Sequence, residues 1–466
     1  MHAMTRHDSL VRPDCGAARR RDCRLRVGWR AGIAGLMGSL FAVAAHALPS
    51  YARQTGADCA ACHIGAYGPQ LTPYGMRFKM GGYVETDGKD GKVPLSAMVL
   101  GNYTRTSKDV ATADTVERYS SNSNPAMQEA SVFLAGRLAA EVGSFVQLTY
   151  SGVERVTSLD QLDLRWARSL TLNGQDSIVG VSLNTNPTLT DPFNTLGQWR
   201  FPYTSSDFGA GYGPSPSIES LAGGVIGINP YLLYDKVYAE FGLYTGLSAG
   251  TTNALNTDYL GKVKGPMPYG RLAWFDDRKS YNWMVGLSAM YGGLYPDPSD
   301  KSASDTFTNF GIDGQYQFLG NRQNIFTVNG SYVRERQTLG YTQGVLGEAS
   351  SRSGTLDQFR LAGSYTWQQT WGGTLGWFET RGSRDALRFG DSFSGSPNTS
   401  GYIAQIDWTP WGKEASWGSP WANLRLGLQY TGYNRFMGGS SYVDGDGNAR
   451  KARDNNTTML FLWLAI

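Results

Sequence analysis

From about Ser96 to Ile466 the chain alternates apolar and polar residues with period two, in one short segment after another. In ANLRLGLQY, Leu424, Leu426, Leu428 and Tyr430 share one face while Asn423, Arg425 and Gln429 share the other. In DQFRLAGSYTW, Phe359, Leu361, Tyr365 and Trp367 oppose Arg360, Ser364 and Thr366, and QLDLRW sets Leu162, Leu164 and Trp166 against Asp163 and Arg165. This is the pattern of half-apolar strands. No run of 18 apolar residues follows residue 47, so no membrane helix is expected there.

The alternation predicts strands near 96–105, 129–139, 143–152, 160–170, 176–184, 221–229, 232–246 and 267–276. Further strands are predicted near 280–291, 305–317, 323–335, 356–368, 372–382, 400–409, 421–432 and 456–466. That makes about sixteen, an even number in the porin range. Connections after even strands are mostly short (AEV, NPY, DDRKS, LGNRQ), whereas those after odd strands include 106–128, 185–220, 336–355, 383–399 and 433–455. Short turns on one rim and long loops on the other characterise an outer-membrane barrel, and a soluble sandwich has no reason to sort its connections in this way. The last segment, NNTTMLFLWLAI, is apolar enough to close such a barrel, although it ends on Ile466 where these barrels resemble one another in ending on an aromatic residue. The expected architecture is therefore all-β: an antiparallel outer-membrane β-barrel over 96–466.

Export is expected from residues 1–47. Six arginines between Arg19 and Arg30 precede the uncharged stretch AGIAGLMGSLFAVAA, and Ala45-His46-Ala47 supplies a cleavage site. The apolar run is shorter than the ~20 residues a spanning helix needs. Removing this leader takes away eight arginines and three aspartates, which leaves 34 basic and 36 acidic residues from 42 and 39, a net charge of −2. No basic surface remains to suggest nucleic acid. Cys15, Cys23, His2, His7 and His46 leave as well, so Cys59, Cys62 and His63 stay.

These three stand as C-x-x-C-H in GADCAACHIGAYG. Two thiols at this spacing can add to the two vinyl groups of a haem while the adjacent imidazole ligates its iron, which makes one covalent haem c the expected cofactor. A thioredoxin-like pair wants a βαβ context, and a zinc site wants a second ligand pair. His63 is the last histidine of the mature chain, so a second histidine ligand is excluded. Methionine is the next choice for the sixth position, with Met76 and Met80 leading and Met98 behind them; an open position and a plain packing role for these methionines are the alternatives. Residues 48–95 are too few to build a large core, and packing inside the barrel would shelter a haem and plug the pore.

The order of leader, YARQTGADCAACHIGAYGPQLTPYGMRFKMGGY and barrel resembles the fused monohaem cytochrome-porin family of the outer membrane, best known from iron-oxidising bacteria. The specific part lies in residues 50–83: the C-x-x-C-H motif, LTPYG, and the FK-x-x-GY formed by Phe78, Lys79 and Tyr83. The resemblance implies that Cys59 and Cys62 attach the haem, that His63 ligates it and that Leu71 to Tyr83 wraps it. It also implies oxidation of extracellular Fe(II), with single electrons passing to a periplasmic cytochrome or copper protein. A porin-like channel whose haem-bearing plug serves another donor or solute passage is the alternative. The long loop 185–220 is expected either to fold inward as a constriction or to cover the outside. In VDGDGNARK, Asp444, Asp446 and Asn448 imitate the start of a calcium loop but lack its Gly and terminal Glu.

Overall fold

The computed structural model describes residues 48–89 and 91–466; the leader expected at 1–47 lies outside the described residues. Among the described residues the main sheet contains 17 strands, and setting aside the two-residue Lys262–Val263 leaves sixteen long ones. They are β1 (Leu95–Thr106), β2 (Asn124–Ala139), β3 (Val142–Ser151), β4 (Val156–Leu172), β5 (Gln175–Asn184), β6 (Val225–Tyr234), β7 (Val237–Gly246) and β8 (Met267–Asp277). They continue as β9 (Tyr281–Tyr295), β10 (Asp305–Phe318), β11 (Asn324–Leu339), β12 (Ser353–Trp367), β13 (Trp371–Gly382), β14 (Thr399–Trp408), β15 (Asn423–Arg435) and β16 (Thr457–Ala465). Each is antiparallel to its sequence neighbours, and β1 also pairs with β16, from Met98 opposite Ala465 to Thr106 opposite Thr457. The sheet therefore closes on itself and leaves no free edge.

Tight turns join the even strands to the next odd ones along one rim. Asn173-Gly174, with φ of 50° and 79°, makes the β4–β5 turn in the type I′ manner. The opposite rim carries the long loops, with the short β3–β4 connection as its exception, and the connection 409–422 is the long exception on the turn rim. The turn expected at Asn229-Pro230-Tyr231 is absent: β6 runs through it and turns at Asp235-Lys236. Proline removes an N–H without ending a strand. The β6–β7 register resumes from Ile228–Leu243 at Tyr231–Glu240, while Val181 lies opposite Pro230 in the β5–β6 register.

The side chains are sorted inside out. Leu375, Ile406 and Phe310 on the exterior are 70%, 63% and 57% exposed, whereas Asn229, Gln317, Ser182 and Thr380 inside are fully buried. Near the turn rim the exterior carries an aromatic band that includes Trp371 stacked on Trp408, centroids 5.6 Å apart, and Trp274 against Trp283 at 4.2 Å. Such a surface needs lipid around it, and aromatic side chains gather at the level of the headgroups. The chain is an outer-membrane β-barrel.

Arginine in place of Leu375 should destabilise the barrel by about 2–4 kcal/mol if the residue lies near mid-bilayer. The measurement is the denaturant midpoint for folding into lipid vesicles; an unchanged midpoint would mean that this face does not lie in hydrocarbon.

Candidate functional site

Residues 48–83 lie inside the barrel and carry three short helices, α1 (Pro49–Thr55), α2 (Cys59–Cys62) and α3 (Pro73–Met80). The wall grips the backbone of this segment at several points. Arg322 donates to the Ala60 carbonyl at 3.2 Å, Gln317 to Leu71 at 2.8 Å and Asn423 to Ala66 at 2.7 Å, while Gly65 N–H donates to Gln369 at 2.8 Å. From another part of the wall Arg165 donates to Lys79 O at 3.0 Å and Tyr231 to Met80 O at 2.7 Å. Arg322 and Gln369 stand in the short turns, which places Cys59 to Gly65 toward the turn rim.

Local geometry explains why the motif residues sit together. α2 is a single turn, so Cys59 and Cys62, three residues apart, share one side of it. His63 then leaves in extended conformation and forms a bridge with Leu71. Thr72 caps α3 by accepting from Gly75 N–H at 3.3 Å, and its own N–H donates to the Cys62 carbonyl at 2.9 Å. A Cβ on Gly75 would lie 2.4 Å from that carbonyl oxygen, so glycine here sets the contact between α3 and the cysteine turn. The LTPYG stretch is therefore structural, capping one helix against the other.

Cys59, Cys62 and His63 all line one cavity of about 420 Å³, together with Leu71, Phe78, Tyr67 and Tyr83 from the segment and Met98, Phe133, Phe145 and Trp463 from the wall. This lies within the ~300–1,000 Å³ of ligand pockets. The thiols form no disulfide. Burial pushes Cys59 up to about 11 and Cys62, next to Cys59, up to about 12, so neither resembles the low-pKa thiol of a disulfide oxidoreductase. Burial pulls His63 down to about 4, which keeps its imidazole neutral with a lone pair free. Among the described residues His63 Nδ1 and the hydroxyls of Tyr67 and Tyr203 are buried without partners, and all three residues line this cavity. Buried polar groups left unsatisfied in this way are costly, and together they point to a bound molecule.

Two expected ligands lie elsewhere. Met76 and Met80, one helical turn apart, are both fully buried in an apolar cluster with Leu71, Phe193, Tyr231, Tyr238 and Phe275 and do not line the cavity. The face of α3 that does so carries Gly75, Phe78 and Lys79. Of the three candidate methionines, Met98 lines it, and its thioether accepts the Trp463 indole N–H at 3.1 Å. Lys79 donates to Asn194 at 2.8 Å and lies 4.6 Å from the centre of the Trp199 ring; burial, aided by the charge of Arg165, pulls its pKa to about 7.

Asn194, Trp199 and Tyr203 come from the long β5–β6 loop, which folds inward. Its Asp191 pairs with Arg271 at 3.0 Å, Thr195 donates to Asp313 at 2.6 Å, and its backbone carbonyls at Thr204 and Tyr212 accept from Gln429 and Thr380. The inward course is one of the two expected for this loop, but nothing local marks Asn194, Trp199 and Tyr203 as the residues that reach the cavity. The calcium-like run is pinned by protein groups instead: Asp444 accepts from Arg450 at 2.7 Å, and Asp446 accepts the Thr112 and Ala113 N–H groups. Among the described residues no three His, Cys, Asp or Glu side chains converge on a metal position.

No protein-family model and no curated protein matches the chain. Among solved structures, Salmonella typhi OmpF in complex with daunomycin is similar at 10% identity and a TM-score of 0.45, covering 80% of this chain and 97% of its own. The outer-membrane channel DcaP of Acinetobacter baumannii (12%, TM-score 0.42, 80% and 96%) and an anion-selective porin from Comamonas acidovorans (10%, TM-score 0.42, 80% and 98%) are also similar.

Alanine at Gly75 should push α3 off the Cys62 carbonyl. If the chain carries the haem expected from its C-x-x-C-H motif, the variant should show at least several-fold less of it on haem staining of the denatured chain, with heat-modifiable migration of the barrel unchanged; normal attachment would show that the contact is dispensable.

Proposed function

We propose that this outer-membrane barrel holds one covalent haem c in its lumen and carries single electrons from an extracellular donor, Fe(II) by the resemblance of residues 50–83, to a periplasmic carrier. The observation that supports this best is the meeting of two thiols and a neutral imidazole, its Nδ1 without a partner among the described residues, in one largely apolar cavity. The residues fit the cofactor. Cys59 and Cys62 would hold it by thioethers, and His63, already neutral, would offer a ring nitrogen to its iron. Tyr67 and Tyr203 would give their free hydroxyls to its carboxylates, since each has a hydrogen to donate. When bound, the haem supplies a one-electron redox centre.

The chain's own part is positioning and exclusion. The wall fixes the cysteine turn, the aromatic side chains give the cavity mostly apolar walls, and the luminal segment and inward loop fill the barrel from its two rims. Fe(II) gives up one electron and becomes Fe(III), and the carrier takes one, so no acid, base or nucleophile is called for. Moving the electron rather than the ion spares the cell the insoluble ferric product.

A second reading, a porin-like channel, is favoured by the sixteen-strand size, which in porins leaves an aqueous passage. Planar-bilayer recording separates the two. Haem-loaded protein should give at most small, flickering currents, while a chain lacking residues 48–83 should conduct steadily; large steady currents from the intact protein would favour the channel.

The direct test mixes oxidised, haem-loaded protein anaerobically with Fe(II) and follows the haem bands by stopped flow. Rapid reduction is expected, and it should vanish in His63→Ala, whose haem stays attached by the two thioethers. Reduction by dithionite but not by Fe(II) would exclude iron as the donor.

A further inference from the structure

The cofactor cavity has a second end that a haem does not explain. Glu129 of β2 and Asp160 and Gln161 of β4 line it as well. Two strand irregularities bring them there. The β1–β2 register slips between Leu100 and Gly101, leaving Gln128 without a counterpart, and the β3–β4 register slips between Gln147 and Leu148, leaving Asp160 without one. A bulge adds a residue and re-aims the side chains beside it, so Asp160 comes to line the lumen next to the inward Gln161.

The hydrogen bonds around Asp160 run one way. Thr149 donates to it at 3.2 Å, and because that hydroxyl has a single hydrogen, Ser131 must donate to Thr149 at 2.9 Å. Gln161 Nε2 also donates to Asp160 at 3.2 Å. That leaves Gln161 Oε1 free: it has no partner among the described residues, although Gln161 is only 3% exposed. Glu129 makes no hydrogen bond among the described residues, and no ion pair there involves Glu129, Asp160 or the nearby Asp207 of the inward loop. Two half-buried carboxyl groups and a buried amide oxygen thus face one space with no cation paired to them among the described residues.

Every free atom in this set is an oxygen that accepts. A haem carboxylate would meet only like charge here, whereas a hard divalent cation prefers oxygen donors. We infer that Glu129, Asp160 and Gln161 seat a hydrated divalent cation at the outer end of the cofactor cavity. With fewer than three convergent carboxylates, the ion keeps much of its water and is held loosely. Glu129 and Asp160 stand in the halves of their strands nearest the long loops, and Asp207 lines a separate pocket of about 300 Å³ among those loops. Asp207 thus adds a third carboxylate on the side of the seat that faces the long loops. As the place of the electron donor, the seat rests on the reading proposed above; as a cation site it does not.

The test uses haem-loaded full-length protein titrated with Mn(II), followed by the loss of the free-ion EPR signal. Wild type should bind one Mn(II) that a Glu129→Gln/Asp160→Asn double variant binds at least ten-fold more weakly, with haem spectrum and heat-modifiable migration unchanged. Equal binding by both overturns the seat. Fe(II)-driven haem reduction is measured alongside: the Fe(II) concentration for half-maximal rate should rise at least ten-fold in the variant, while reduction by dithionite stays the same. If Mn(II) binding falls in the variant but Fe(II) reduces neither protein, the seat stands and the iron reading fails. If Fe(II) reduces both alike and Mn(II) binding is equal, the reading stands and the seat fails.

Discussion

Closure of the barrel is the constraint on which everything else depends. A backbone in lipid has no water for its N–H and C=O groups, so each strand must pair on both sides, and β1 must find β16. Once the exterior is given over to leucine, phenylalanine and tryptophan, the polar half of every strand faces inward. The result is a wide polar interior, and its donors and acceptors need partners. The luminal segment and the inward loop provide them largely with backbone carbonyls, each accepting from a wall side chain such as Arg165, Gln317, Asn423 or Gln429.

Three buried arginines show how this filling is aimed. Arg165 is bound to Asp163 at 2.8 Å and reaches the carbonyls of Lys79 and Thr190, so one side chain touches both the segment and the loop. Arg271 joins Asp313 of the wall to Asp191 of the loop. Arg425 pairs with Asp407 at 2.8 Å and donates to Tyr67 O. Buried ion pairs add little net stability because both partners lose water, but a removed partner leaves a charge stranded. Their effect here is to specify position: a segment shifted by one residue would take its carbonyls out of reach of Arg165 and Arg425.

The barrel and the cysteine motif were legible because both are local. Alternation shows the facing of Leu424 or Arg360 without knowledge of any other strand, and C-x-x-C-H places two thiols on one helical turn. What was not legible depends on packing between distant elements. Pro230 reads as a turn residue, yet β5 holds it in a strand. Met76 and Met80 read as ligands by their distance from His63, yet the face of α3 that they occupy packs away from the cavity, a direction fixed by Thr72 and Gly75 against Cys62. Glu129 and Asp160 carry no signal in a single sequence, since only the register slips beside them bring them to one space.

The same geometry gives the molecule a direction. The cysteine turn is tied to the short turns through Arg322 and Gln369, while the acceptor set of Glu129, Asp160 and Gln161 lies toward the long loops. In an outer-membrane barrel the first rim faces the periplasm and the second faces outward. A cavity between them, donor-rich where Tyr67 and Tyr203 stand and acceptor-rich at Glu129 and Asp160, distinguishes its two ends by chemistry as well as by place. Under the function proposed above, such a difference would suit an electron path whose outer end meets a cation and whose periplasmic end holds a cofactor.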